Sequence, residues 1–261
     1  MSLVTLLAQA LRRNWGHYLV EAAGIMAFLT VSSLAAVVFH HPDSAVARAC
    51  GPAAWTQRIG VAASVGFLIT AMANLPWGRR SGAHFNPAVT LGFWRLGYIA
   101  TADALWYVLA HFLGACLAGV ALCWLLKPWF SYPTIHHNTT VPIEGKYGWT
   151  LALGAEILIS AALMLVLLWA LHSRTRKPWA GALAGLTLAL FVVVEAPLSG
   201  MSLNPARTLG AAIGAGEGPG LWLYFLGPLG GMWATAALYH RYRRRQPPGQ
   251  LTLPHFPDPT A

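Results

Sequence analysis

Long apolar runs alternate with short polar breaks along nearly the whole chain. The first run extends from about Tyr18 to Phe39 and stops at His40-His41-Pro42-Asp43. A second, from about Ile59 to Trp77, stops at Gly78-Arg79-Arg80, and a third covers about Asp103 to Leu126. After a polar, aromatic stretch from Lys127 to Gly148, three more follow: Trp149 to Leu171, Trp179 to Ala196, and about Leu221 to Tyr239. Roughly 20 apolar residues suffice to cross a hydrocarbon core about 30 Å thick, so each run predicts a transmembrane helix. The alternating segments of about ten residues that mark a membrane β-barrel are absent.

Composition agrees with this pattern. Hydrophobic residues make up 56% and charged residues 10%, with mean hydropathy +0.53. A soluble domain carries about 25% charge, so this chain is expected in the lipid bilayer, in one domain. Arg12 and Arg13 precede a first run long enough to span, and no cleavable leader is expected. Six spans put both ends on one side. That side holds twelve Lys and Arg, including Arg79, Arg80, Arg174, Arg176 and Lys177, against Arg48, Arg58, Lys127 and Lys146 on the other. This asymmetry predicts cytoplasmic termini and a plasma or inner cell membrane. It also accounts for the net charge of +9 without a nucleic-acid partner. Cys50, Cys116 and Cys123 offer no disulfide framework and read as free thiols.

One twelve-residue pattern occurs twice. Ser81 to Gly92 reads SGAHFNPAVTLG and Ser199 to Gly210 reads SGMSLNPARTLG, identical at eight of twelve positions. Asparagine is a favoured helix N-cap and proline a favoured first helical residue. Asn86-Pro87-Ala88 and Asn204-Pro205-Ala206 therefore each start a helix. Pro87 to Arg95 reaches only about 13 Å and Pro205 to Ala215 only a little more, too short to cross. Three spans separate the copies, so the second half is inverted and the two short helices enter from opposite faces. The expected fold is all-α: six transmembrane helices plus two re-entrant half-helices in an inverted repeat. In residues, this divides into an N-terminal segment 1–17, halves 18–126 and 149–245 joined by loop 127–148, and a Pro-rich, disordered tail 246–261.

The two helix N-termini would meet near the midplane, each with about half a positive charge, and disfavour cations and hydronium. If each asparagine oxygen caps its helix, each NH2 is left to donate into the lumen. Non-helical backbone at membrane depth requires burial or a wet cavity, so a water-lined path is expected. No GxxxxGK[ST] loop is present, which removes the usual mark of an ATP-driven pump.

On these two motifs the chain resembles the aquaporin and aquaglyceroporin family, the major intrinsic proteins, over roughly residues 15 to 245. Supporting matches are Glu21, Glu156 and Trp222-Leu223-Tyr224-Phe225-Leu226-Gly227-Pro228. The resemblance implies an hourglass channel, a homotetramer with one pore per subunit, and no cofactor or enzymatic activity. It implies that Arg207 lines the narrowest outer constriction, that Glu21 and Glu156 brace the re-entrant loops, and that His84 lies near the inner pore. Glu195 is expected at the vestibule or its loop. The pairs His40-His41 and His136-His137 are loop residues to which no metal is assigned.

The rest of the constriction departs from the water-selective pattern. The aromatic position of the second span falls on Gly66, or on Val65 if the match shifts by one residue. Val192 replaces the histidine of the fifth span, and Met201 stands three residues before the second asparagine, where mercurial-sensitive members have cysteine. That constriction looks wide and apolar. Thr208 and Ala212, by contrast, lack the aspartate and basic residue usual in glycerol conductors, and Tyr224 is aromatic as in water channels. The reading is a passive channel for water together with small uncharged solutes such as glycerol, urea or metalloid hydroxides. The alternatives are a dedicated facilitator of larger neutral solutes, a proton-coupled transporter that titrates Glu21 or Glu156, and a non-conducting structural member of the fold.

Overall fold

In a computed structural model of the chain, residues 2–218 and 220–244 are described, and the tail expected over residues 246–261 lies outside them. The first half contains α1 (Leu3–His40), α2 (Ala45–Cys50), α3 (Ala54–Asn74), α4 (Pro76–Ser81), α5 (Pro87–Arg95) and α6 (Thr101–Leu125). A connecting stretch carries α7 (Lys127–Phe130). The second half contains α8 (Gly148–Leu171), α9 (Ala180–Val194), α10 (Ala196–Ser199), α11 (Pro205–Ala215) and α12 (Leu221–Arg244). Among the described residues, six helices are long and apolar enough to span a membrane.

The half-helices begin and end where the sequence placed them, because Asn-Pro sets each start. The long helices differ at their ends. α1 begins fifteen residues before the expected Tyr18, so residues 3–17 are helical and continuous with the span. Ser2 caps it by accepting from the Thr5 N–H, and nothing before Tyr18 is a glycine or proline except Gly16. Polar residues there lower the hydropathy without breaking the helix. α3 stops at Asn74, three residues before the expected Trp77, because Pro76 holds Leu75 extended at φ −67°, ψ 150°. α9 likewise stops at Val194, just ahead of Pro197. α12 runs on past Tyr239 with Pro228 inside it.

The halves interlock. α1 packs on α6, and the equivalent α8 packs on α12. Each half-helix lies against the last long helix of the opposite half: α5 on α12 and α11 on α6. α3 and α9 cross at backbone contact distance. A Cβ on Gly66 would meet the Gly185 carbonyl oxygen at 2.8 Å, and one on Gly185 would meet the Gly66 oxygen at 2.3 Å. α6 and α11 approach as closely, since a Cβ on Gly119 would stand 1.8 Å from the Gly210 oxygen. Glycine and alanine at these crossings let helices associate without a water-driven hydrophobic force.

Candidate functional site

Each re-entrant segment is built by the same local rules. A short helix, α4 or α10, ends on Ser81 or Ser199, and the next residue, Gly82 or Gly200, turns left-handed at φ 89° or 79°. Two further left-handed residues follow in each copy: Ala83 and Phe85, Met201 and Leu203. This corkscrew turns successive N–H groups to one side, where a carboxylate collects them. Glu21 accepts from the N–H groups of His84 and Phe85 at 3.1 and 2.6 Å. Glu156 accepts from those of Ser202 and Leu203 at 2.7 and 2.9 Å. Both acids are 0% exposed, and such burial is tolerable only with this many donors. Two tyrosines repeat the symmetry, Tyr107 donating to the Ser81 carbonyl and Tyr224 to that of Ser199, each at 2.6 Å.

The bracing is not identical in the two halves. Glu21 is also met by His111 Nε2 at 2.8 Å, a fully buried pair. Glu156 instead accepts from the Ser199 hydroxyl at 2.6 Å. Glu195, expected at the vestibule or its loop, is only 4% exposed and closes the end of α9.

The helix N-termini meet head to head. Asn86 Oδ1 accepts from the Ala88 N–H at 2.8 Å, and Asn204 Oδ1 accepts from the Ala206 and Arg207 N–H groups at 3.1 and 3.3 Å. Their NH2 groups do not both point freely into the lumen. Asn86 Nδ2 donates to the Leu203 carbonyl at 2.7 Å, and Asn204 Nδ2 donates to the Phe85 carbonyl at 2.8 Å. An amide nitrogen has two hydrogens. One is therefore used across the interface, and one per asparagine remains.

A cavity of about 640 Å³ opens onto this pair. Its inner end carries Asn86, Asn204 and His84, its walls include Phe28, Ile69 and Leu188, and its rim carries Arg79, Arg174 and Lys177. His84 is held by Thr90 at 2.9 Å and packs against the rings of Phe93 and Tyr107.

The expected constriction residues stand elsewhere, and none of them lines this cavity. Arg207 is 7% exposed; its Nη1 donates to the Asn138 carbonyl at 3.2 Å and its Nη2 to Asn138 Oδ1 at 3.5 Å. Met201 is buried with a left-handed backbone (φ 53°), and Val192 packs half-buried against the core. Gly66 lies at the crossing of α3 and α9. Its side-chain direction points into α9, at the Gly185 oxygen and at Ala189 Cβ 2.9 Å away. The alternative given by the shifted match, Val65, is buried in the core cluster.

Several residues of the site have structural roles that the sequence did not show. Ser81, Ser199, Thr90 and Thr208 were visible as identical positions of the repeat, yet their roles depend on distant partners. Thr208 bonds Ser202 Oγ at 2.6 Å and Thr140 Oγ1 at 2.8 Å. His111 and Asn138 lie outside the repeat, and nothing in their surroundings along the chain marks them.

Known proteins agree with this architecture. The sequence model of the family described as major intrinsic protein matches residues 9–240. The chain is 39% identical over 169 residues to a probable aquaporin of NIP type from Nicotiana alata, covering 64% of this chain and 60% of that protein. It is 35% identical over 170 residues to a probable aquaporin, AqpM, from Archaeoglobus fulgidus, covering 62% of this chain and 68% of that protein. Against the plant relatives, the match spans less than two thirds of their length, 60% for the Nicotiana protein and 56% for a NIP4-2 protein of Arabidopsis thaliana. The X-ray structure of the aquaglyceroporin from Plasmodium falciparum superposes with TM-score 0.67 at 20% identity, covering 88% of this chain and 95% of that one. That likeness shows the fold. With the family matched over nearly the whole described length, this chain is a multi-pass membrane protein of the major intrinsic protein family.

Proposed function

We propose that the protein is a passive transmembrane channel for water and small uncharged solutes, and not an enzyme or a pump. The observation that carries this reading is the pair of half-helices meeting N-terminus to N-terminus, with Asn86 and Asn204 at the end of a 640 Å³ cavity. Two positive helix ends disfavour a cation there. The remaining amide hydrogens of Asn86 and Asn204 would each donate to a passing oxygen. A water that accepts from both directs its own hydrogens outwards, which interrupts a proton wire. Arg207 adds a fixed positive charge further along the path. Its Nε is buried and has no protein hydrogen-bond partner among the described residues.

In this reading Pro87, Ala88, Pro205 and Ala206 start the half-helices, His84 faces the inner path, and Glu21 and Glu156 brace the loops. Met201, Val192 and Arg207 form the outer constriction, with Val65 in place of Gly66. Glu21 and Glu156 each accept three hydrogen bonds, two of them from loop N–H groups, which argues against a proton relay through either. The basic rim of Arg79, Arg174 and Lys177 faces the cytoplasm, with both termini on that side of a plasma or inner membrane, and the chain assembles as a homotetramer. No cofactor is needed.

A constriction without aromatic or histidine favours passage of glycerol-sized solutes as well as water. Stopped-flow light scattering on proteoliposomes tests this, with sucrose and then glycerol as osmolyte. Fast shrinkage in sucrose and rapid glycerol re-entry are expected. Fast shrinkage without re-entry would make it a water-only channel, and slow shrinkage with fast re-entry a dedicated solute facilitator. Neither signal from folded protein would overturn the channel reading.

A further inference from the structure

We infer that Asn138 is a specificity-determining positioning residue, which ties Arg207 to a serine pair on α1 and so sets which solutes pass. This rests on the channel reading above.

The stretch that joins the two halves is shaped around this residue. His136, His137 and Asn138 are consecutive left-handed residues, with φ of 47°, 53° and 55°, and none is a glycine. L-residues with side chains avoid that region, so three in a row persist only where surrounding contacts hold them. Those contacts are present. Thr134 donates to the His40 carbonyl at 2.9 Å, His136 Nδ1 meets Thr139 Oγ1 at 2.6 Å, and Thr140 meets Thr208 at 2.8 Å. Ile135 is buried, and the His137 ring stands edge-on to Phe130.

The turn brings every polar group of the Asn138 side chain, and its carbonyl, onto a target. The carbonyl and Oδ1 accept from Arg207. Nδ2 donates to Ser32 Oγ at 2.9 Å and Ser33 Oγ at 3.2 Å. The two serines are 4% and 2% exposed, and Ser32 donates its own hydrogen to the Leu29 carbonyl at 3.1 Å. Lone pairs of Ser32 therefore face the amide, which fixes its nitrogen towards α1 and its oxygen towards the guanidinium. Among the described residues, both side-chain hydrogen bonds of Arg207 go to Asn138. The side-chain amide thus links α1 to Nη2, while the Asn138 backbone carbonyl holds Nη1.

The test compares glycerol and water permeability in proteoliposomes of wild type, Asn138→Ala and the double variant Ser32→Ala/Ser33→Ala. Thermal unfolding in detergent is measured alongside. Asn138→Ala should raise the glycerol-to-water ratio about three- to tenfold, the range spanned by one net hydrogen bond. The double serine variant, which keeps the turn and Arg207, should shift the ratio in the same direction and carries the test if Asn138→Ala does not assemble. A role confined to loop stability would lower the unfolding temperature and leave the ratio unchanged. An unchanged or lowered ratio in folded variants overturns the inference alone. No flux of either solute in wild type overturns it together with the channel reading.

Discussion

Asn86 and Asn204 are locked to each other's segments: each donates its amide N–H to the backbone carbonyl just before the other, Asn86 to Leu203 and Asn204 to Phe85. Each also caps its own half-helix through Oδ1. One residue type in one place thus starts a helix, joins two halves 118 positions apart and leaves a single donor hydrogen.

Asn86→Ala removes the cap and the cross-bond together. A lost cap costs about 1 kcal/mol and a lost buried hydrogen bond about as much again. The unfolding midpoint in detergent should therefore fall, and Asn204→Ala should lower it by a similar amount. A midpoint unchanged in both would mean that the cross-bonds do not hold the halves together.

Arg207→Val gives the second motif the residue that the first has at Val89. Proton and cation leak should rise in pH- and potential-sensitive dye assays, and glycerol permeability should rise with it. The variant also leaves the Asn138 carbonyl without its donor, so some stability is lost. Leak indistinguishable from wild type would remove Arg207 from the constriction.

Gly66→Ala separates a packing residue from a pore residue. Its Cβ would stand 2.8 Å from the Gly185 oxygen, and overpacking of this kind costs about 1–3 kcal/mol. Lower yield and lower unfolding temperature are expected, without a change in the glycerol-to-water ratio of what does fold. A changed ratio at unchanged stability would return Gly66 to the pore.

Met201→Cys should create a mercurial block of water flux that wild type lacks at this position, reversed by thiol reagents. Cys116 and Cys123 both lie on α6 as free, half-buried thiols. Water flux of Met201→Cys that mercurials leave unchanged would contradict the expectation.

Glu21→Ala leaves the His84 and Phe85 N–H groups and His111 without their acceptor in a fully buried place. Leaving a buried donor without its acceptor costs about 1–3 kcal/mol each. Failure to assemble is expected, whereas Glu21→Gln, which retains an acceptor oxygen, should keep more folded protein. Equal recovery of the alanine variant and wild type in size-exclusion chromatography would show that the first loop needs no brace.

By itself the sequence determined the six spans, the two half-helices and their inverted arrangement. These follow from local rules: an apolar run has one low-energy form in lipid, and Asn-Pro starts a helix wherever it stands. The limits of Pro87–Arg95 and Pro205–Ala215 were legible for that reason. The early start of α1 was less so, because hydropathy reports what lies in lipid and not where a helix begins. Tertiary structure alone decided what depends on contacts between distant residues. The cross-bonds of Asn86 and Asn204, the pairing of His111 with Glu21 and the hold of Asn138 on Arg207 join residues 69 to 119 positions apart. The direction of Gly66 is of the same kind, since on a helix one residue turns a side chain by about 100°. A count along the chain cannot resolve that rotation, but the helix packed against Gly66 can.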